Sequence, residues 1–412
     1  MNNSERSYSL HKGKIKFLLL EGIHPRAREI IELAGYTHVV EQKAALTPDA
    51  LKRALKGVHF VGIRSRTQLD KAAIDAANRL TAIGCFCIGT NQVDLKTTQM
   101  AGIPVFNAPF ANTRSVAELS LAEIIMLMRG IPQKNAAAHR GQWLKSATGS
   151  TEIRGKTLGI IGYGHIGSQL GIIAESMGMR VIFHDIENKL PLGNAEARTG
   201  LNQLLAEADV VSLHVPDTPE TRMLMSAGAI SAMRRGSYLI NASRGTVVDI
   251  DALKRALQSG HLAGAAIDVF PLEPKSNDDL FESPLVGLDN VLLTPHIGGS
   301  TLEAQENIAV EVASKLVRYS DNGTTRSAVN FPQVSLPEHG NTRIMHIHHN
   351  EPGVLQRINQ VFFDNQINIA AQYLQTEGDI GYVVMDVESI EVTRLMKALG
   401  KIPSTIRTRW LH

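Results

Sequence analysis

Residues 156–167 read KTLGIIGYGHIG. An apolar run, 157–161, leads straight into Gly162-Tyr163-Gly164-His165-Ile166-Gly167, and a helix-patterned stretch follows to about Met177. The spacing predicts a strand, a tight turn and a helix, with a separate job for each glycine. Gly162 permits the bend, Gly164 lets the backbone approach a pyrophosphate, and Gly167 lets the helix pack closely on the strand. The start of the helix adds N–H groups for the anion. Asp185 stands eighteen residues past Gly167, at the end of the next apolar run. A carboxylate there accepts hydrogen bonds from ribose hydroxyls and repels a 2′-phosphate, which points to NAD rather than NADP.

Working outward from that turn, further strands are expected at 181–184, 210–214, 238–241, 263–268 and 291–294. The part before it has the same rhythm. Strands at 16–21, 37–40, 59–64, 80–86 and 103–107 alternate with helices at 24–34, 49–55, 71–77 and 94–101, and a long apolar helix follows at 115–128. Such alternation implies parallel sheets covered on both faces, so the fold class is α/β with two doubly wound parallel-sheet domains. A helix at 301–320 is placed to return to the first unit, which makes that unit discontinuous in sequence. Pro332, Pro337 and Gly340 mark a linker. Beyond it come a strand at 343–348, a helix at 353–365, a hairpin around 369–388, a helix at 393–399 and a strand at 405–410. That βαββαβ order makes a complete small domain.

The bulk numbers agree. A chain of 412 residues is too long for one ordinary core. At 43% hydrophobic and 20% charged it belongs with globular proteins rather than disordered ones. A net charge of +2, without a concentrated basic patch, argues against a nucleic-acid partner. No apolar run reaches the ~20 residues of a membrane span, and the polar start, 1–16, does not read as a secretory signal. Cys85 and Cys87 lie two apart in one apolar run and are expected to be buried strand residues. Pointing to the same face, they make a poor disulfide pair, which suits a reducing, cytoplasmic setting. No metal is expected: neither this pair nor His346 with His348 approaches the usual four ligands.

Three chemistry-bearing residues follow strands of the second unit. Arg244 stands in NASRG, Glu273 in DVFPLEP and His296 in TPHIGG. Ligands of parallel α/β sheets bind outside the carboxyl ends of the strands, so all three are candidates for one site. Oxidising a 2-hydroxy acid needs a base for the hydroxyl proton, a cation for the carboxylate and a hydride acceptor. Neutral His296 is suited to take the proton, and Glu273 to fix its tautomer and favour the imidazolium. Arg244 is suited to grip a carboxylate through two parallel hydrogen bonds. Arg64-Ser65-Arg66, directly after an apolar strand, offers two guanidinium groups and a hydroxyl to a phosphorylated substrate. Arg140 and Lys145, near Trp143, are further cationic candidates, and Asn112 is a substrate or hinge candidate.

Together GYGHIG, INASRGTVVD, AAIDVFPLEP and LLTPHIGGST resemble the D-isomer-specific 2-hydroxyacid dehydrogenases, over about 15–330, and the ending resembles an ACT domain. The resemblance implies a flavodoxin-like substrate-binding domain at 1–111 and 299–331, and a Rossmann-type NAD domain at 112–298. A linker at 332–341 and an ACT regulatory domain at 342–412 complete the chain. It implies His296 as proton donor and acceptor, Glu273 as its partner and Arg244 as substrate anchor. The NAD contacts it implies are His165 and Ile166 through backbone, Asp185, Ala242, Ser243, Arg244, Asp268 near the nicotinamide, and His296, Ile297, Gly298 and Gly299. His214-Val215-Pro216 resembles the apolar wall of the adenine pocket. An effector, L-serine, is implied between ACT domains of two subunits, at His348, Asn350 and Asn368. A homotetramer is implied too, through pairing of ACT sheets and of cofactor domains.

The implied reaction is oxidation of D-3-phosphoglycerate to 3-phosphooxypyruvate, the first step of phosphorylated serine synthesis, with feedback inhibition by serine. A side reduction of 2-oxoglutarate to 2-hydroxyglutarate is implied as well, since a second carboxylate mimics the phosphate. One alternative is another D-2-hydroxyacid substrate such as glycerate or lactate, against which Arg64 and Arg66 weigh. Another is a non-catalytic NAD-sensing corepressor, against which the intact Arg244, Glu273 and His296 set weighs. The single glycine at Gly340-Asn341, where relatives often carry a pair, bears on how strongly the effector is coupled.

Overall fold

The computed structural model describes residues 10–274, 278–339, 342–388 and 392–411. The first nine residues of the polar start, and Gly340 and Asn341 of the expected linker, lie outside the described residues. The chain divides into two compact units, Asn112–Ala304 and the flanking stretches Met1–Ala111 with Gln305–His412.

The first unit opens with five short strands: β1 (Lys16–Leu19), β2 (His38–Glu41), β3 (Phe60–Ile63), β4 (Ala82–Cys85) and β5 (Val105–Phe106). They pair in parallel in the order β2-β1-β3-β4-β5, the flavodoxin-like arrangement. Every residue of β3 and β4 is buried, as expected of central strands covered on both faces. Gly84 explains how the helix Leu302–Asn322 seats itself here. A Cβ on Gly84 would lie 2.7 Å from Val312 Cγ1 and 2.9 Å from Leu316 Cδ1. The missing side chain admits that helix to the core of Phe17, Phe60 and Phe106. Cys87 departs from the expectation. It lies past the end of β4 and is only half-buried, because the strand stops at Cys85.

The second unit carries seven parallel strands: β6 (Thr157–Ile161), β7 (Arg180–His184), β8 (Glu196–Ala197), β9 (Val210–Leu213), β10 (Ser237–Asn241), β11 (Leu262–Ile267) and β12 (Val291–Leu293). Their order is β12-β11-β10-β9-β6-β7-β8, the doubly wound Rossmann pattern. Direction of winding reverses between β6 and β9, so the loops after these strands flank the switch point where such sheets bind ligands. The apolar helix Thr113–Met128 buries Val116, Ala117, Ile124 and Leu127. The sequence reading named no helix at Ile131–His139, where one is found.

The last strands, β13 (Thr342–His349), β14 (Ile369–Glu377), β15 (Ile380–Val387) and β16 (Thr405–Leu411), form an antiparallel sheet ordered β14-β15-β13-β16. One face, with Ile344 and Met385, packs on helices Val354–Asp364 and Val392–Leu399. The opposite face sends Met345, Ile347, Tyr382 and Val384 into the first unit's own core beside Tyr319 and Phe331. Consequently β13 is buried on both sides along nearly its whole length. Polar contacts fasten the same junction. Arg343, fully buried, donates to Asp386 through Nε at 2.6 Å and Nη2 at 2.7 Å, and its Nη1 reaches the carbonyls of Asn322 and Pro337. Arg407 donates to the Leu80 carbonyl at 2.6 Å, and the Tyr382 hydroxyl to that of Gly323 at 2.7 Å. In contrast β14 is an outer strand whose residues are half-buried or exposed throughout. No helix among the described residues is long and apolar enough to cross a membrane.

Replacing Arg343 alone strands the Asp386 carboxylate and two backbone carbonyls. Arg343→Met is therefore expected to lower the unfolding free energy by about 3–5 kcal/mol, read by chemical denaturation.

Candidate active site

The glycine turn after β6 leaves no room where it touches its neighbours and open space where it does not. Gly162 takes φ 89°, and a Cβ there would lie 2.4 Å from the His214 carbonyl oxygen. A Cβ on Gly167 would lie 2.2 Å from the Gly162 oxygen, so helix His165–Ser176 rests directly on the turn. At Gly164 a Cβ would meet nothing within 4 Å. No side chain caps this helix. Asp185 directly follows β7. Its Oδ2 accepts the Tyr163 N–H at 2.8 Å and its Oδ1 that of Glu187 at 2.9 Å, and a carboxylate oxygen retains a second lone pair for a further donor. His214, after β9, bonds Ser212 Oγ through Nε2 at 2.9 Å, and burial pushes its pKa down to about 4. An open glycine face, an uncapped helix start and a carboxylate at the next strand end together fit a dinucleotide.

On the same sheet, the loop after β12 is shaped by one buried carboxylate. Asp268, 1% exposed, directly follows β11. Its Oδ1 accepts from Thr294 Oγ1 at 2.7 Å and the Ile297 N–H at 2.8 Å, and its Oδ2 accepts the Gly298 N–H at 2.9 Å. Its carbonyl also takes the His296 N–H at 2.8 Å. So fastened, the loop carries His296 at φ 53°, a left-handed conformation rare for a residue with a side chain. The exposed ring then meets Glu273, with Nδ1 and Oε2 2.9 Å apart. Glu273 is steadied through Oε1, which accepts the Phe270 N–H at 3.1 Å.

Arg244 reaches this group by a close backbone approach. A Cβ on Gly245 would lie 2.0 Å from the Phe270 carbonyl carbon, so only glycine lets the Arg244 loop lie against the segment leading to Glu273. Asn241, the last residue of β10, holds the loop. Its Nδ2 donates to the Arg244 carbonyl at 3.0 Å, and its Oδ1 accepts from Ser243 N and Oγ. Ala242 lies between them, half-buried. The hydrogen bond to Glu273 outweighs burial and raises the His296 pKa above its ordinary value, with Asp268 adding to the rise and Arg244 opposing it. Burial pushes Glu273 up, but His296, the Phe270 N–H and Arg244 together hold it below the usual carboxylate range. With Nδ1–H given to the carboxylate, Nε2 is left as a base.

Two partners of this machinery escaped the sequence reading. Gly245 is one. The other is Glu123, 2% exposed on helix Thr113–Met128, whose oxygens find no hydrogen-bond partner of normal geometry among the described residues. Burial, aided by the nearby Asp268 carboxylate, pushes Glu123 up to about 8, so it is neutral at pH 7. A single acidic residue within the apolar run 119–128 was the signal available.

A family model described as D-isomer specific 2-hydroxyacid dehydrogenase, NAD binding domain, matches residues 121–298. Another, AHAS small subunit-like ACT domain, matches 344–407. The D-3-phosphoglycerate dehydrogenases of Haemophilus influenzae and Escherichia coli K12 are each 62% identical over 98% of this chain and 99% of their own lengths. The chain belongs to the D-isomer-specific 2-hydroxyacid dehydrogenases. Among solved structures, a D-lactate dehydrogenase from Aquifex aeolicus, complexed with NAD and lactic acid, aligns with TM-score 0.65 at 28% identity. It covers 74% of this chain and 95% of its own.

The remaining candidate residues of this family member are spread more widely. Asn112 is buried just before helix Thr113–Met128, its Nδ2 2.5 Å from where a Cβ on Gly299 would lie. Arg140 and Lys145 are exposed, as is Trp143 at 85%. Arg64 is half-buried, and Ser65 and Arg66 are exposed, on the loop after β3. In the ACT fold His348 is buried with no partner for Nε2 among the described residues, whereas Asn350 and Asn368 are exposed. Asn368 precedes β14, which is separated from β13 by β15, so one chain does not bring Asn368 beside His348.

Two measurements check these electrostatics. Glu273→Gln removes the charge that favours the imidazolium. It is expected to move the acid limb of the oxidation rate to lower pH and to lower kcat at least about tenfold. Glu123, with its folded pKa of about 8 above the ordinary 4.5, favours the folded state below 4.5, and this contribution is lost as pH rises through 8. Glu123→Gln is expected to flatten the decline of stability across that window, read by denaturation at several pH values.

Proposed function

We propose that the chain oxidises D-3-phosphoglycerate to 3-phosphooxypyruvate, with NAD as cofactor, and that L-serine inhibits it through the ACT fold. The observation that carries this reading is the 2.9 Å pairing of His296 with Glu273 at the carboxyl end of a dinucleotide-binding sheet. Arg244 binds the substrate carboxylate and draws the reacting hydroxyl into line. His296 Nε2 takes the hydroxyl proton, and the imidazolium so formed is stabilised by Glu273. When bound, NAD supplies the acceptor for the hydrogen leaving the same carbon. Gly164, the helix start behind it and Asp185 hold the cofactor. His165 and Ile166 contribute backbone, and the loops carrying Ala242, Ser243, Ile297, Gly298 and Gly299 complete its surroundings. Arg64, Ser65 and Arg66 take the phosphate, with Arg140, Lys145 and Asn112 as further contacts.

For the effector, the buried His348 ring with an unpartnered Nε2 supplies one polar group and Asn350 another. Asn368 of a partner chain supplies the third. The open edge of β14 supports such pairing, because an uncovered strand presents unsatisfied N–H and C=O groups. ACT pairing combined with pairing through the cofactor unit makes a homotetramer. A cytoplasmic setting suits Cys85 and Cys87, which are thiols here rather than a disulfide.

Steady-state assays test the reading. His296→Ala is expected to lower kcat about 10²- to 10⁴-fold while NAD binding, followed by calorimetry, stays nearly intact. The unaltered enzyme is expected to turn over D-3-phosphoglycerate far better than D-glycerate. Equal kcat/KM for the two would remove the phosphate from the proposal. L-serine is expected to inhibit, and sedimentation to give four chains.

A further inference from the structure

The loop 64–67 has no paired strand to satisfy its backbone, yet three of its N–H groups and the Arg64 carbonyl are engaged by two buried side chains. Glu21, 9% exposed, stands two residues beyond β1 with φ 64°, followed by Gly22 at φ 59°. Its Oε1 accepts the N–H of Arg64 at 3.1 Å and of Thr67 at 2.9 Å, and its Oε2 accepts that of Arg66 at 3.0 Å. From another element Gln92, 3% exposed, donates through Nε2 to the Arg64 carbonyl at 2.9 Å, and to Gly89 O and Cys87 Sγ at 3.2 Å each.

Backbone N–H groups that converge in this way make an anion-binding concavity. Here the anion is internal, because the Glu21 carboxylate already fills it. The N–H groups of Arg64, Arg66 and Thr67 are therefore unavailable to a substrate, and a phosphate that binds here is taken chiefly by the side chains of Arg64, Ser65 and Arg66. Long guanidinium arms grip well only when their stems are fixed beforehand. The stem of Arg64 is held at both N–H and carbonyl, and that of Arg66 at its N–H.

We propose that Glu21, assisted by Gln92, is the positioning residue that presets the Arg64-Ser65-Arg66 loop for a phosphate monoester. Selectivity for the phosphorylated substrate then depends on a carboxylate that never touches it. The inference rests on the reading above that Arg64 and Arg66 take the phosphate. It also accounts for a glutamate held in a left-handed conformation, which only specific contacts sustain.

Glu21→Gln keeps the shape but turns one acceptor into a donor facing an N–H. Its KM for D-3-phosphoglycerate is expected to rise about tenfold, with kcat and the KM for NAD within about twofold. Turnover of D-glycerate is expected to stay the same. The double variant Arg64→Gln, Arg66→Gln is expected to raise the KM on its own, and adding Glu21→Gln to it is expected to raise the KM no further. As a second handle, Glu21→Gly relieves the left-handed strain and deletes the carboxylate, and added acetate is expected to restore the KM. A raised KM in the arginine double variant but not in Glu21→Gln overturns the positioning role and leaves the phosphate reading intact. No change in the arginine double variant overturns both. Additive losses, equal losses with D-glycerate, or no response of Glu21→Gly to acetate mark Glu21 as merely structural.

Discussion

The Asp268 carboxylate, sealed from solvent, takes the Thr294 hydroxyl and the N–H groups of Ile297 and Gly298, and the loop that carries His296 exists in its observed form because of it. Holding a residue with a side chain in the left-handed region costs about 1–2 kcal/mol. Hydrogen bonds to a charged acceptor, each contributing about 1.5–3 kcal/mol, are enough to offset that for His296. The imidazole thereby meets Glu273 from a fixed direction, and its basicity follows from the meeting. Glu123 lies close to the same carboxylate, and burial together with that neighbour raises its pKa.

The same device recurs across both parallel sheets. A loop leaving a parallel strand has N–H groups with no partner, and an unmet buried donor is costly. In each case an acidic side chain just past a neighbouring strand supplies the acceptor. Asp185 past β7 holds the turn after β6, Asp268 past β11 holds the loop after β12, and Glu21 past β1 holds the loop after β3. Adjacent strands in a parallel sheet end side by side, so the geometry is available wherever a carboxylate stands at that position.

The parallel sheets, the returning helix and the βαββαβ ending were legible because periodicity and glycine placement are local signals. GYGHIG could be read for the same reason: each glycine answers a demand made within a few residues. Arg244, Glu273 and His296 were legible through residue type and position after strands. What could not be read was anything whose partner is remote in the chain. Glu21 meets Arg64 forty-three positions away and Gln92 meets it from twenty-eight, and neither has a local pattern to mark it. Glu123 carried only the weak signal of a charge in an apolar run, and nothing local marks Asp268 as its neighbour. The strand ending that leaves Cys87 outside β4 follows from tertiary pairing, to which an apolar run is blind.

A strand covered by hydrocarbon on both flanks has no surface left to offer water, and β13 is such a strand. The ACT fold is therefore not a cassette that genetic exchange can clip off or transplant. Removing it would lay bare Tyr319 and Phe331, so a truncated descendant would first have to repaint that wall with polar residues. The fusion also means that any strain imposed on β13 passes directly into a shared hydrocarbon wall.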